Sequence, residues 1–166
     1  MQITRQEIVM NTYGELPPAG SSAPDFTLAD ASLNEISLSD FNDGPVVLNI
    51  FPSIDTPTCA KSVRQFNERL NAIENIRVVN VSVDLPFAQS RFCAAEGLER
   101  VVNASAFRSP AFGQDYGVLI TDTARRGLFA RAVVVISGGK VVYSQLVKEL
   151  TEEPDYEAAL SAAAGA

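Results

Sequence analysis

At its centre the chain reads Val46-Val47-Leu48-Asn49-Ile50-Phe51-Pro52-Ser53-Ile54-Asp55-Thr56-Pro57-Thr58-Cys59. The run that ends at Phe51 has the β-branched and aromatic content of a buried strand, and Pro52 ends it because proline is rarely tolerated inside a sheet. Farther along, apolar side chains recur at helical spacing, at Val63, Phe66, Leu70 and Ile73. The stretch therefore predicts a strand, a short turn and a helix.

The helix that follows the turn is expected to begin beside a cysteine. Thr56 followed by Pro57 fits a helix N-cap with proline at the first helical position, which puts Cys59 at the third. Thr58 is the alternative cap. Either choice leaves Cys59 among the unpaired N–H groups at the positive end of the helix dipole, where a thiolate is stabilised.

A helix terminus alone does not make a reactive thiol. A cysteine of ordinary pKa, about 8.5, is only roughly 3% ionised at pH 7, and lowering that pKa to about 6 requires roughly 3.4 kcal/mol. The dipole typically supplies about 0.3–1 kcal/mol and at best about 2 kcal/mol. A nearby cation is therefore expected if the thiol is reactive. The alternative is that Cys59 is a small buried hydrophobic residue.

Arg131 is the best candidate for this cation. It opens the run Arg131–Ile136, which is otherwise typical of a strand buried on both faces, and a charge rarely lies on such a strand without a partner. The alternative is that Arg131 lies at a solvated strand end.

The rest of the chain alternates between strand and helix signals. We expect a hairpin within residues 2–12 across Arg5-Gln6, strands over 26–28, 76–84 and 101–105, helices from Pro86 to about Gly97 and from Pro110 to Tyr116, a hairpin pairing 131–136 with 141–147, and a helix over 154–164. The last helix would bury one face: Tyr156, Ala159, Leu160 and Ala163. This order predicts an α/β fold with a mixed sheet flanked by helices, the thioredoxin-like arrangement. We expect one domain over residues 1–166, with 1–24 as an N-terminal arm and hairpin.

The amino-acid composition argues against several classes of function. The chain has no histidine, which argues against Ser-His-Asp and Cys-His hydrolases and against most metal sites, so no metal or other cofactor is expected. Its net charge is −7 and no cluster of lysine and arginine is larger than the pair Arg125-Arg126, so nucleic acid is not an expected partner. Without a signal-peptide pattern or a long apolar span, a cytoplasmic protein with no membrane contact is expected.

Cys93 is the second of only two cysteines and falls on a different helix from Cys59. Taken alone, it is interpreted as a packing residue. It is also the only thiol that could trap a Cys59 sulfenic acid as a disulfide before further oxidation. That bond requires Cα atoms within about 7 Å, a separation that two helices need not provide. We therefore hypothesise that one or both helix starts, at Pro57 and Pro86, unwind during turnover.

The pattern Pro52-x-x-x-Thr56-x-x-Cys59 resembles the active-site motif of the peroxiredoxins. Longer strings are similar to the bacterial thiol peroxidase branch of that family, the atypical two-cysteine peroxiredoxins: residues 48–56, 84–93, 130–135 and 153–160. The resemblance spans essentially the whole chain.

The resemblance implies a thioredoxin-fold peroxidase that reduces hydrogen peroxide and organic hydroperoxides, with alkyl or lipid hydroperoxides favoured. It implies that Cys59 attacks the peroxide, that Thr56 and Arg131 stabilise the reacting atoms and that Pro52 shields the pocket. Cys93 would resolve the sulfenic acid within one subunit, thioredoxin would reduce the disulfide, and the protein would be a homodimer. The competing hypothesis is a thioredoxin-like redox carrier or binding module without peroxidase activity.

Overall fold

The computed structural model describes residues 1–166. In chain order its elements are β1 (Gln2–Arg5), β2 (Ile8–Asn11), β3 (Thr27–Ala29), β4 (Glu35–Ser37), a 3₁₀ helix (Leu38–Phe41), β5 (Val46–Ile50), α1 (Pro57–Leu70), β6 (Arg77–Ser82), α2 (Pro86–Glu96), β7 (Val102–Ser105), α3 (Ala111–Asp115), β8 (Ala132–Ser137), β9 (Lys140–Leu146) and α4 (Tyr156–Ala164).

Seven strands form a mixed sheet in the order β4-β3-β7-β6-β5-β8-β9, and β1 and β2 form a separate antiparallel hairpin. The central strands β5, β6 and β7 are parallel, which requires the crossover helices α1 and α2. The other neighbours in the sheet pair antiparallel. The predicted thioredoxin-like arrangement with an N-terminal hairpin is confirmed.

The sheet separates two apolar cores because alternate residues of a strand point to opposite faces. In β5, Val47 belongs to the cluster that contains Phe66 of α1 and Leu160 of α4, whereas Leu48 belongs to the cluster that contains Phe112 of α3. All five residues of β5 are buried, as expected for a strand covered on both faces.

Most predicted elements are present with ends shifted by one or two residues. The N-terminal hairpin turns at Gln6 and the following residue, one position later than expected, and Gln6 has a positive φ of 56°. β4 and the 3₁₀ helix were not predicted, because a three-residue strand with a single apolar side chain has no readable periodicity. No helix is both long and apolar enough to cross a membrane.

Candidate active site

Helix α1 begins where the sequence predicts. Thr56 is the N-cap with extended backbone (φ −104°, ψ 145°) and Pro57 follows it, so Cys59 is the third helical residue. The alternative cap, Thr58, is therefore wrong. The Cys59 side chain is fully buried, and its backbone N–H has no acceptor within the protein. A thiol and an unpaired N–H donor thus lie together at the positive end of the helix.

Arg131 lies immediately before β8 and is only 1% exposed, so the alternative prediction, that it lies at a solvated strand end, is wrong. Its Nη1 lies 3.5 Å from the Cys59 Sγ, and its Nη2 donates to the backbone carbonyl of Leu150 at 2.8 Å. Its Nε has no partner. A buried guanidinium with an unused donor is costly unless a further group binds there, so the arrangement favours a polar ligand beside the thiol.

Arg131 also lines a cavity of about 270 Å³, together with Pro52 and Thr56. Cys59 does not itself line the cavity, but its sulfur contacts Arg131, which does. Pro52 is buried, and the Thr56 hydroxyl donates to the carbonyl of Ser53 at 2.9 Å. Because the hydroxyl hydrogen of Thr56 is already used in this bond, the Thr56 oxygen can only accept a further hydrogen bond through its lone pairs.

The turn before α1 is held by Asp84, whose importance the sequence analysis did not detect. Its carboxylate accepts from the Ser53 hydroxyl and the Ile54 N–H, both at 2.7 Å, and from the Ser82 hydroxyl at 2.6 Å. An acidic residue at the last position of a predicted strand was the available signal, since the carboxyl ends of strands in α/β sheets commonly form sites. Asp84 fixes the turn that leads into Cys59.

Glu149 is a second residue that the sequence analysis missed. Its carboxylate accepts from the hydroxyls of Thr4 and Thr151, both at 2.7 Å, and from the N–H groups of Gln6 and Thr151. The Thr4 hydroxyl is the main cause that lowers the pKa of Glu149 to about 2, followed by the Thr151 hydroxyl. Glu149 thereby joins β1 to the segment that carries the Leu150 carbonyl beneath Arg131.

Cys93 lies on α2, and neither cysteine forms a disulfide in this structure. Both cysteines border the same apolar cluster, but Cys93 does not line the cavity beside Arg131. Burial raises the pKa of the Cys93 thiol, an effect opposed by Asn103, whose Nδ2 donates to the sulfur at 3.2 Å. The structure thus groups Cys59 with Pro52, Thr56 and Arg131 and leaves Cys93 on its own helix.

A buried chain of hydrogen bonds runs between the two cysteines. Asn103 accepts from Asn80 at 3.1 Å, Asn80 accepts from Asn49 at 3.0 Å, and the three residues are in register across β7, β6 and β5. Asn49 also donates to Ser62 (3.2 Å), whose hydroxyl donates to the Cys59 carbonyl at 2.8 Å. The surroundings of the two thiols are therefore joined by polar contacts across the sheet.

The sequence matches the Redoxin family over residues 18–160. It is 56% identical to the thiol peroxidase of Mycobacterium tuberculosis over 162 residues, 97% of either chain. It is 51% identical to the thiol peroxidase of Corynebacterium glutamicum over 152 residues, covering 91% of this chain and 92% of that one.

Solved structures are similar over the same extent. A peroxiredoxin-like protein from Aquifex aeolicus superposes with a TM-score of 0.92 at 36% identity, over 99% of this chain and 96% of that one. A thiol peroxidase from Chromobacterium violaceum shares the fold with a TM-score of 0.90 at 22% identity, over 97% and 94% of the chains.

Proposed function

This chain belongs to the Redoxin family and is a thiol-dependent peroxidase of the peroxiredoxin type, and we propose that Cys59 is the thiol that reduces the hydroperoxide. The contact between the buried Arg131 guanidinium and the Cys59 sulfur carries this proposal. No carboxylate pairs with Arg131, so the thiolate of Cys59 is its available counter-charge.

In the first step the Cys59 thiolate attacks the terminal oxygen of the hydroperoxide. An S–O bond forms as the O–O bond breaks, so the sulfur loses two electrons and the peroxide gains them. The departing alkoxide takes the peroxide proton and leaves as an alcohol, or as water when the substrate is hydrogen peroxide. Cys59 becomes a sulfenate, which takes a proton to give the sulfenic acid.

Two donors stabilise the negative charge that develops on the oxygens, and a third group orients the hydroperoxide. The Cys59 N–H and the Arg131 Nε are donors without a partner, as expected for groups that bind a reacting oxygen. The Thr56 hydroxyl, already donating to Ser53, accepts the O–H of the incoming hydroperoxide. Pro52 shields this side of the cavity from water.

We propose that Cys93 resolves the sulfenic acid within the same chain. Its thiolate attacks the Cys59 sulfur, an S–S bond forms, and the sulfenic oxygen leaves as water with the proton released by Cys93. Because the cysteines lie on α1 and α2, the starts of these helices unwind to bring the sulfurs together.

A thioredoxin-type dithiol protein then reduces the disulfide by thiol–disulfide exchange and returns Cys59 and Cys93 to their free state. Alkyl or lipid hydroperoxides are the favoured substrates, a preference supported only by the family resemblance. We place the protein in the cytoplasm, where such a reductant keeps thiols reduced. Residues 1–166 act as one unit in this proposal, because the arm formed by residues 1–24 reaches the cavity through Arg5.

We also propose a homodimer. The large apolar side chains of Leu85, Phe87 and Phe107 are exposed. The Ala106 N–H donates to the carbonyl of Ser82 at 2.9 Å, which holds Phe107 near the start of α2, where the other two residues lie. Neighbouring apolar side chains on a surface favour a protein contact, and a second copy would cover them.

Steady consumption of cumene hydroperoxide with a thioredoxin system tests the proposed function. The wild type should turn over many times, and Cys59→Ser should lose the activity. A wild type that undergoes at most one slow stoichiometric oxidation would instead be a redox carrier or binding module.

A further inference from the structure

The cavity beside Arg131 is lined by positive charge, although the chain as a whole is negative. The whole sequence has 20 acidic and 13 basic residues, yet the cavity wall carries three arginines, Arg5, Arg125 and Arg131, and no acidic residue. Arg131 is balanced by the Cys59 thiolate, which leaves two positive charges without a counter-charge. Because the chain as a whole repels anions, this local excess marks a place where an anion is attracted.

Arg131 is occupied by Cys59 and the Leu150 carbonyl, but the side chains of Arg5 and Arg125 have no hydrogen-bond acceptor. None of the five ion pairs in the protein involves them. Both are partly buried rather than free in solvent. Two guanidinium groups are therefore available at the cavity to bind a carboxylate, for which their forked donors are well suited.

No acidic residue forms an ion pair with Arg5 or Arg125, including Glu7, which is two residues after Arg5. Glu149 accepts hydrogen bonds from Thr4, Gln6 and Thr151 and pairs with no cation. The Asp122 carboxylate accepts from the backbone and side chain of Asn11 at 3.0 and 2.7 Å. Neither acid neutralises Arg5 or Arg125.

The N-terminal hairpin holds both arginines in place. Thr4 pairs with the segment after β9, donating to the Lys148 carbonyl at 2.6 Å and accepting from the Leu150 N–H at 2.8 Å, which brings Arg5 to the cavity. The contact between Asn11 of β2 and Asp122 fixes the loop that carries Arg125. The two charges are thus positioned by backbone hydrogen bonds and by an exposed polar contact.

We propose that Arg5 and Arg125 form a carboxylate subsite, so that the enzyme prefers organic hydroperoxides that carry a carboxylate over neutral ones. The cavity volume of about 270 Å³ suits a short-chain acid or the reacting end of a longer one. This inference rests on the proposed peroxidase function of Cys59.

The test compares the second-order rate constants for a hydroperoxy-hexanoic acid and for its methyl ester, which differ only in the charge at one end. The wild type should react faster with the acid. The ratio of the two constants should fall about threefold to fivefold in Arg5→Gln or Arg125→Gln, and roughly tenfold in the double variant, as expected for partly exposed ion pairs. High salt should lower the acid-to-ester ratio of the wild type, as the substitutions do, because it screens the same ion pairs.

Arg126→Gln is the matched control, because this neighbouring arginine is exposed and does not line the cavity. Its acid-to-ester ratio should equal that of the wild type. A wild-type ratio near one, or an unchanged ratio in the double variant, would overturn the subsite while leaving the peroxidase function intact. If the double variant does not fold, the two single variants decide the question. Absence of reaction with either compound and with cumene hydroperoxide would instead overturn the proposed function itself.

Discussion

Replacing Arg131 by lysine separates the charge of this residue from its geometry. The guanidinium reaches the Cys59 sulfur through Nη1 and the Leu150 carbonyl through Nη2, and it keeps Nε free. A lysine ammonium retains the positive charge but presents its donors from a single nitrogen, so it cannot serve the sulfur, the carbonyl and an incoming oxygen together.

The expected loss follows from one charge-assisted hydrogen bond to the transition state. Such a bond contributes about 1.5–3 kcal/mol, and about 1.36 kcal/mol corresponds to a factor of ten in rate. Arg131→Lys should therefore lower the second-order rate constant with cumene hydroperoxide roughly 10- to 150-fold. Arg131→Met should lower it further, because the positive charge beside the thiolate is also lost.

Stopped-flow oxidation of the pre-reduced variants measures this constant directly, with circular dichroism as the control that each variant is folded. Asn80, which is hydrogen-bonded to Asn49 and Asn103 and not to Arg131 or Cys59, gives a matched buried variant, Asn80→Leu, that should perturb the core without this specific loss. A rate constant for Arg131→Lys equal to that of the wild type would remove Arg131 from the chemistry.

Three further predictions concern residues around the site. The pKa of Glu149 is lowered to about 2, so its carboxylate stabilises the fold at pH values above the pKa of an ordinary carboxyl group. This stabilisation is lost as the pH falls from about 4.5 toward 2. In thermal melts, acidification should therefore lower the melting temperature of Glu149→Gln less than that of the wild type. Because burial raises the pKa of Cys93, the rate of disulfide formation should rise about tenfold per pH unit between pH 6 and 8, and a pH-independent rate in quenched-flow thiol counting would contradict this. Asn103→Leu removes a donor to the Cys93 sulfur and should slow disulfide formation about threefold to tenfold without slowing the first oxidation, whereas equal slowing of both steps would refute a role specific to Cys93.

The part of the site that the sequence predicts depends on local signals. The strand, the turn and the N-cap all lie within residues 46–59, so their arrangement follows from neighbouring residues. Arg131 was a candidate for a different reason: it is a charge at the start of an otherwise apolar strand, and such a charge needs a partner. Cys59 lies at the start of α1, which follows β5, and Arg131 lies at the start of β8. The two side chains can therefore meet because β5 and β8 are adjacent strands.

The supporting contacts could not be predicted because they join distant parts of the chain. Glu149 meets Thr4 only because the N-terminal hairpin pairs with the segment after β9. The asparagine contacts that reach Cys93 depend on the register of β5, β6 and β7, and a shift of one residue would turn these side chains to the other face of the sheet. Neither the register nor the hairpin docking has a local sequence signal.

The most direct test of the mechanism is rapid mixing of pre-reduced protein with limiting cumene hydroperoxide, followed by intact mass and free-thiol counting on the wild type and Cys93→Ser. We expect fast loss of both thiols and of two hydrogen atoms in the wild type, and a product with one added oxygen, the Cys59 sulfenic acid, in the variant. Slow oxidation with both thiols persisting in the wild type would show that Cys59 is not an activated nucleophile and would refute the proposed peroxidase cycle.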